Sequence, residues 1–147
     1  MMSNMNTPSW ISKNSLYFAW AIALVATVGS LYFSEIAGYA PCLLCWYQRI
    51  FMYPLVIVLG VGLLRRDRAV ALYALPLSLI GLGIALYHNL LQWHIISESL
   101  APCREGISCV DNPVIALNFI TIPLISLTAF VLISVLMFIY HSDKSHA

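Results

Sequence analysis

The sequence predicts an all-α membrane protein, a four-transmembrane-helix bundle with two short extracytoplasmic loops that carry all of its cysteines. Three observations carry this. Of 147 residues, 61% are hydrophobic and 9% charged, with a mean hydropathy of +0.88, a balance that soluble domains do not carry. Four long apolar runs follow one another, each bounded by charged, proline or polar residues. Lys and Arg are also distributed unequally between the gaps. A β-barrel would need short segments alternating apolar and polar, whereas these runs are apolar on every face.

A helix needs about 20 apolar residues to cross a hydrocarbon core of roughly 30 Å. The runs place spans over residues 16–34, 46–64, 70–91 and 114–140, with cysteine loops over 35–45 and 95–113, all in one integral membrane domain covering 1–147. The second run is apolar only from Ile50, and it reaches spanning length if Trp46 and Tyr47 sit at the interface, where aromatic belts form. Polar tails are expected at Met1 to Asn14 and Ser142 to Ala147. Gly38-Tyr39-Ala40 has the small ends of a cleavage site, but the apolar run before it is long for a signal core and Pro41 follows, so the first span is expected to be retained.

Charge sets the orientation. Lys13, Arg65, Arg66, Arg68 and Lys144 lie on one side; Arg49 and Arg104 lie on the other, with Glu35, Glu98, Glu105 and Asp111. The excess of Lys and Arg marks the cytoplasmic side. Both termini are therefore expected in the cytoplasm, and both loops outside. A formal net charge of +1 offers no field for nucleic acid.

The cysteines form two pairs, Cys42/Cys45 in PCLLCWYQR and Cys103/Cys109 in PCREGISC. On an oxidising side their plainest role is to staple loops. Five residues separate Cys103 from Cys109, and closing so small a loop contributes about 2 to 2.5 kcal/mol. Two residues between Cys42 and Cys45 give the spacing of redox-active dithiols. Cys45 falls where the second helix begins, and Arg49 follows on the same face. Unsatisfied amides at a helix N-terminus and a nearby guanidinium both favour an anion there; an interfacial arginine can also simply anchor the helix to headgroups. His88 lies deep in the third run, in LYHNLLQWH, where an ionisable residue is a functional candidate or a neutral hydrogen-bonding group. His94 and Glu35 fall at span ends and read as interfacial.

With these residues in place, the chain resembles the DsbB/BdbC family of membrane disulfide-bond formation proteins, and within it the short BdbC (disulfide formation protein C) branch of Gram-positive bacteria. PCLLCWYQR matches the family's first-loop motif, and HNLLQ resembles its His-x-x-Leu-Gln stretch. The resemblance covers nearly the whole chain. One departure is the compact Cys103 to Cys109 spacing, which larger members widen. The resemblance implies disulfides Cys42–Cys45 and Cys103–Cys109, and a reduced, exported thioredoxin-fold oxidase (DsbA/BdbD-like) that attacks the second, at Cys103. Electrons then pass to Cys42–Cys45, and from Cys45 to a quinone of the menaquinone or ubiquinone type flanked by Arg49 and His88. No metal is assigned. Two other readings stand beside this one: a vitamin-K-epoxide-reductase-like enzyme, in which the CxxC comes late in the chain rather than first, and a non-enzymatic membrane protein binding metal through four cysteines.

Overall fold

In a computed structural model of the chain, which describes residues 9–97, 99, 114–116 and 120–145, four helices run through the molecule. Helix α1 spans Ser9–Leu31 and continues as a π-helical turn, Tyr32–Ile36; α2 spans Leu43–Arg65, α3 Val70–Gln92 and α4 Ile122–Ser145. Each packs against its sequence neighbours, and α4 closes against α1. All four are long and apolar enough to cross a membrane. Large apolar side chains point outward along them, among them Val25, Ile57, Leu64 and Leu79, as a lipid-facing surface requires.

Several boundaries differ from the sequence expectation, each for a physical reason. The first helix begins at Ser9 rather than 16, because Ser12 and Ser15 are buried within it and the Ser15 hydroxyl donates to the Ser12 carbonyl at 2.8 Å. The second begins at Leu43 rather than 46, so Cys45 sits in the first turn instead of in the loop. The fourth begins at Ile122 rather than 114. Residues 114–116 form strand β1, paired antiparallel with β2 (Ile120–Thr121), and Pro123 then occupies the first turn of α4, where its missing N–H costs nothing. Two short strands thus join an otherwise helical fold. Most of the loop expected over 95–113, including Cys103 and Cys109, lies outside the described residues.

The core is built from close approach. Ala19, Ala23, Ala71, Ala74 and Ala85 are fully buried beside Leu55, Leu59, Phe130, Ile133 and Met137. Small residues at helix contacts suit a membrane bundle, where packing rather than water exclusion holds helices together. At Gly81, a Cβ would overlap the Phe130 ring, so α3 and α4 meet there only because the side chain is absent. Some polar groups in the core pair across helices: the Ser134 hydroxyl donates to Ser78 Oγ at 3.0 Å, and Asn89 Nδ2 donates to the Pro123 carbonyl as well as to Ala85 O within α3, while Asn89 Oδ1 has no hydrogen-bond partner.

On the side predicted to be cytoplasmic, α2 ends in a Schellman arrangement. Arg66 takes the left-handed conformation (φ 50°), its N–H bonds the Leu63 carbonyl, and the Asp67 N–H bonds Gly62 O, which satisfies carbonyls the helix would leave open. The Asp67 carboxylate then accepts from the Ala69 N–H and the Tyr73 hydroxyl, and so fixes the turn into α3.

Candidate active site

Cys42 is the N-cap of α2, in extended conformation, and its carbonyl accepts the Trp46 N–H at 3.1 Å. This places its sulfur at the positive end of the helix. Cys45, one turn on, comes back to it: the two sulfurs are 3.3 Å apart, as a dithiol. Cys42 is 1% exposed and packs with Leu44 and Leu91, whereas Cys45 is half-buried.

His88, fully buried in α3, meets this pair from behind. Its Nε2 is 3.8 Å from Cys42 Sγ, and its Nδ1 is 3.0 Å from Gln48 Nε2. Where the Gln48 amide donates to Nδ1, the ring proton sits on Nε2 and faces the Cys42 sulfur; with the amide turned, Gln48 Oε1 accepts from Nδ1–H instead. The Cys42 thiol is held well below its usual range. The hydrogen bond with Cys45 is the largest cause, burial opposes it, and His88 adds to the lowering.

Arg49 lies on the other side. Its Nε donates to Ser30 Oγ and its Nη2 to the Ser30 carbonyl, both at 2.9 Å, while the guanidinium stands over the Trp46 ring with 5.4 Å to the centroid. These contacts bind α2 to α1 and hold the charge at the wall of a cavity of about 210 Å³ between α1, α2 and the start of α4. Cys45, Gln48, Arg49 and Tyr53 line it, with Val25, Phe33, Met52 and Ile125 among its apolar walls.

The chemistry thus has two faces. Cys45 and Arg49 share the cavity, as their spacing predicts. His88 does not line it, and Cys42 stands between them in the sense that His88 contacts Cys42 while Arg49 shares the Cys45 side. Glu35 and His94 are exposed.

Three residues escaped the sequence reading. Gln48 was readable as a polar residue inside a spanning run, yet nothing in sequence joins it to a histidine 40 positions away. Ser30 gave no signal. Tyr53 lies four residues after Arg49 and eight after Cys45, a stripe on one helical face, and its hydroxyl is buried without a hydrogen-bond partner.

With this geometry in view, the comparison with known proteins is decisive. The family model for disulfide bond formation protein DsbB matches residues 12–140. The chain belongs to the DsbB family. It is 45% identical to disulfide bond formation protein C of Bacillus subtilis (strain 168) over 130 residues, covering 88% of this chain and 94% of that one. It is likewise 45% identical over 132 residues to a probable disulfide formation protein C of Halalkalibacterium halodurans, covering 90% and 96%. A probable disulfide formation protein of Metapseudomonas resinovorans is 38% identical over 133 residues, covering 90% and 92%. No solved structure matches significantly. This DsbB-family chain is therefore a multi-pass membrane oxidoreductase of disulfide bond formation.

Proposed function

We propose that the protein is a quinone-dependent protein-disulfide oxidoreductase that reoxidises an exported thioredoxin-fold oxidase (DsbA/BdbD-like), with both cysteine loops extracytoplasmic. The observation that carries this reading is that a cysteine of the CxxC pair and an arginine wall the same apolar cavity. A quinone ring fits such a donor set. It presents flat apolar faces and two carbonyl oxygens, and the cavity offers apolar walls, a guanidinium and the unpartnered Tyr53 hydroxyl, a buried donor that costs about 1 to 3 kcal/mol unless it is paired.

When bound, the quinone supplies a renewable two-electron, two-proton acceptor. The residues of the chain do the rest. One thiolate of the reduced partner attacks the Cys103–Cys109 disulfide at Cys103 and forms a mixed disulfide; the partner's second thiol resolves it. The partner leaves oxidised, and Cys103/Cys109 becomes a dithiol. That dithiol reduces Cys42–Cys45 by the same exchange, with two electrons and two protons moving at each stage. Cys45 then faces the cavity, while His88 Nε2 supports charge on Cys42. Arg49, fixed by Ser30, would stabilise negative charge developing on a carbonyl oxygen of a bound quinone, and the Tyr53 hydroxyl would donate a hydrogen bond to a carbonyl oxygen.

Oxidation of a reduced thioredoxin-fold partner by the purified protein in defined lipid tests this reading. Multiple turnovers with quinone, and no more than two without it, one for each disulfide of the chain, are expected; equal multiple turnover in both would refute quinone dependence.

A further inference from the structure

Cys42, Cys45 and His88 point three ligand atoms of soft and borderline character at one another, all within 4.8 Å. The individual separations are 3.3 Å between the sulfurs and 3.8 Å from Cys42 Sγ to His88 Nε2. A tetrahedral zinc ion with Zn–S of about 2.3 Å and Zn–N of about 2.0 to 2.1 Å sets its ligands about 3.8 Å (S to S) and about 3.6 Å (S to N) apart. Two of the three separations therefore already stand within about half an ångström of those in a zinc site, and the third, from Cys45 to His88, is no more than 4.8 Å. Surroundings and charge agree. Leu44, Leu91, Ile84 and Tyr87 pack around the pair, and two thiolates neutralise a divalent cation, so no net charge is buried.

A further observation concerns the histidine. A metal-bound imidazole needs its other ring nitrogen held by an acceptor, which fixes the tautomer and the ring plane. Gln48 contacts Nδ1 at 3.0 Å. Turning its amide by half a turn places Oε1 against an Nδ1–H and frees the Nε2 lone pair, with no change in the shape of the side chain. One glutamine thus serves both states, donating to Nδ1 when Nε2 faces Cys42 with its proton and accepting from Nδ1 when Nε2 is a ligand.

We propose that the reduced Cys42/Cys45 pair, with His88, binds a single zinc ion, and that this captures the protein in its reduced state. On binding, both sulfurs coordinate as thiolates, and the Cys45 S–H proton, together with any proton still on Cys42, passes to the buffer; no electrons move. A pair so occupied cannot re-form its disulfide, so zinc and reoxidation exclude one another. Oxidation removes both sulfur ligands at once, which makes the site dependent on redox state. The proposal does not rest on the quinone reading, because binding is measured without quinone or partner.

Zinc binding to the full-length Cys103→Ser/Cys109→Ser protein, in which only Cys42 and Cys45 remain as thiols, decides the matter. The protein is compared reduced and oxidised under anaerobic conditions, with a chromophoric chelator as competitor and cobalt as a spectroscopic substitute. One zinc per reduced chain, none on the oxidised chain, and a cobalt spectrum with thiolate charge-transfer bands that changes in His88→Ala are expected. Gln48→Ala should weaken zinc binding about 10- to 100-fold, as loss of a group orienting a ligand does, and Gln48→Glu, which keeps an acceptor, should restore it. Equal zinc binding by reduced and oxidised protein overturns the proposal; so does an affinity unchanged in Gln48→Ala. The redox comparison needs no substitution at the site, so it stands even where His88→Ala fails to fold.

Discussion

At the scale of single residues, the site divides its labour between two side chains that the sequence made equally visible. Arg49 touches the cavity, and His88 touches Cys42. Removing the guanidinium should therefore affect the quinone step. A charge-assisted hydrogen bond is worth about 1.5 to 3 kcal/mol, so Arg49→Ala should lower catalytic efficiency toward quinone roughly ten- to a hundred-fold. Arg49→Lys should recover only part, because it keeps the charge but loses the planar fork that grips Ser30 through two nitrogens. Steady-state kinetics with varied quinone at saturating reduced partner measure this, and unchanged kcat and KM in Arg49→Ala would leave Arg49 a headgroup anchor. Removing His88 should instead be read in the pH dependence of Cys42. Its thiol is lowered from an ordinary value of 9.0, so the thiolate is favoured at neutral pH, and the stability it lends the reduced state fades as pH falls below that ordinary value and is gone once pH is below the lowered one. Since the Cys45 contact contributes more than His88, His88→Ala should move the midpoint of thiolate absorbance upward without returning it to that of a free thiol. A midpoint unmoved in His88→Ala would remove the imidazole from the electrostatics of the pair.

At the scale of elements, hydropathy located the four long helices and both ends of α3 to within a residue, but misjudged where α1, α2 and α4 begin. The run from Val114 to Tyr140 reads as one apolar stretch, since a short apolar segment rich in Val and Ile does not distinguish strand from helix by composition. The structure cuts it at Ile122, with β1 and β2 before it. Conversely, Ser12, Lys13 and Asn14 look like a tail, yet polar residues need not end a helix, and α1 carries through them. Arg49's place beside Cys45 was legible from local helical spacing. The Gln48–His88 contact was not, because it depends on how α2 and α3 rotate against each other. That rotation is set by packing such as Gly81 against Phe130; the Gly81/Gly83 pair permits close helix approach, but the sequence does not say which residue meets it. Filling it should be costly: overpacking a tight contact destabilises by about 1 to 3 kcal/mol, so Gly81→Val should lower the unfolding midpoint in detergent. At Gly83, where a Cβ meets nothing within 4 Å, the same change should have a smaller effect. Equal midpoints for the two variants would show that α3 and α4 are free to separate at this level.

At the scale of the whole molecule, one side of the bundle collects the chemistry and the other the charge. Lys13, Arg65, Arg66, Arg68 and Lys144 fall at one end of the helices, and Cys42, Cys45, His88 and Arg49 gather toward the opposite end. By the excess of Lys and Arg, the positive end is expected to face the cytoplasm, and under the proposed function exported thiols would then meet the cysteine loops without crossing the bilayer. Energetics explain why two pairs are wanted. If the partner is strongly oxidising, as the proposed function has it, with a potential of about −120 mV, each 30 mV of mismatch for a two-electron couple is about 1.4 kcal/mol, and an oxidant renewed from the membrane would keep electrons flowing. Under the proposed function the loop pair would meet the soluble partner, and Cys45 of the pair at the α2 N-terminus lines the cavity. Separating the two functions is the sharpest test of this division. A Cys103→Ser protein should lose turnover of the reduced partner by at least a hundred-fold, while its Cys42/Cys45 pair still exchanges electrons with quinone in a partner-free assay. A membrane-impermeant thiol reagent, applied to intact cells, should label the wild-type cysteines only after external reduction. Retained partner turnover in Cys103→Ser would move the point of attack directly to the α2 pair, and labelling only in permeabilised cells would invert the bundle and with it the whole route.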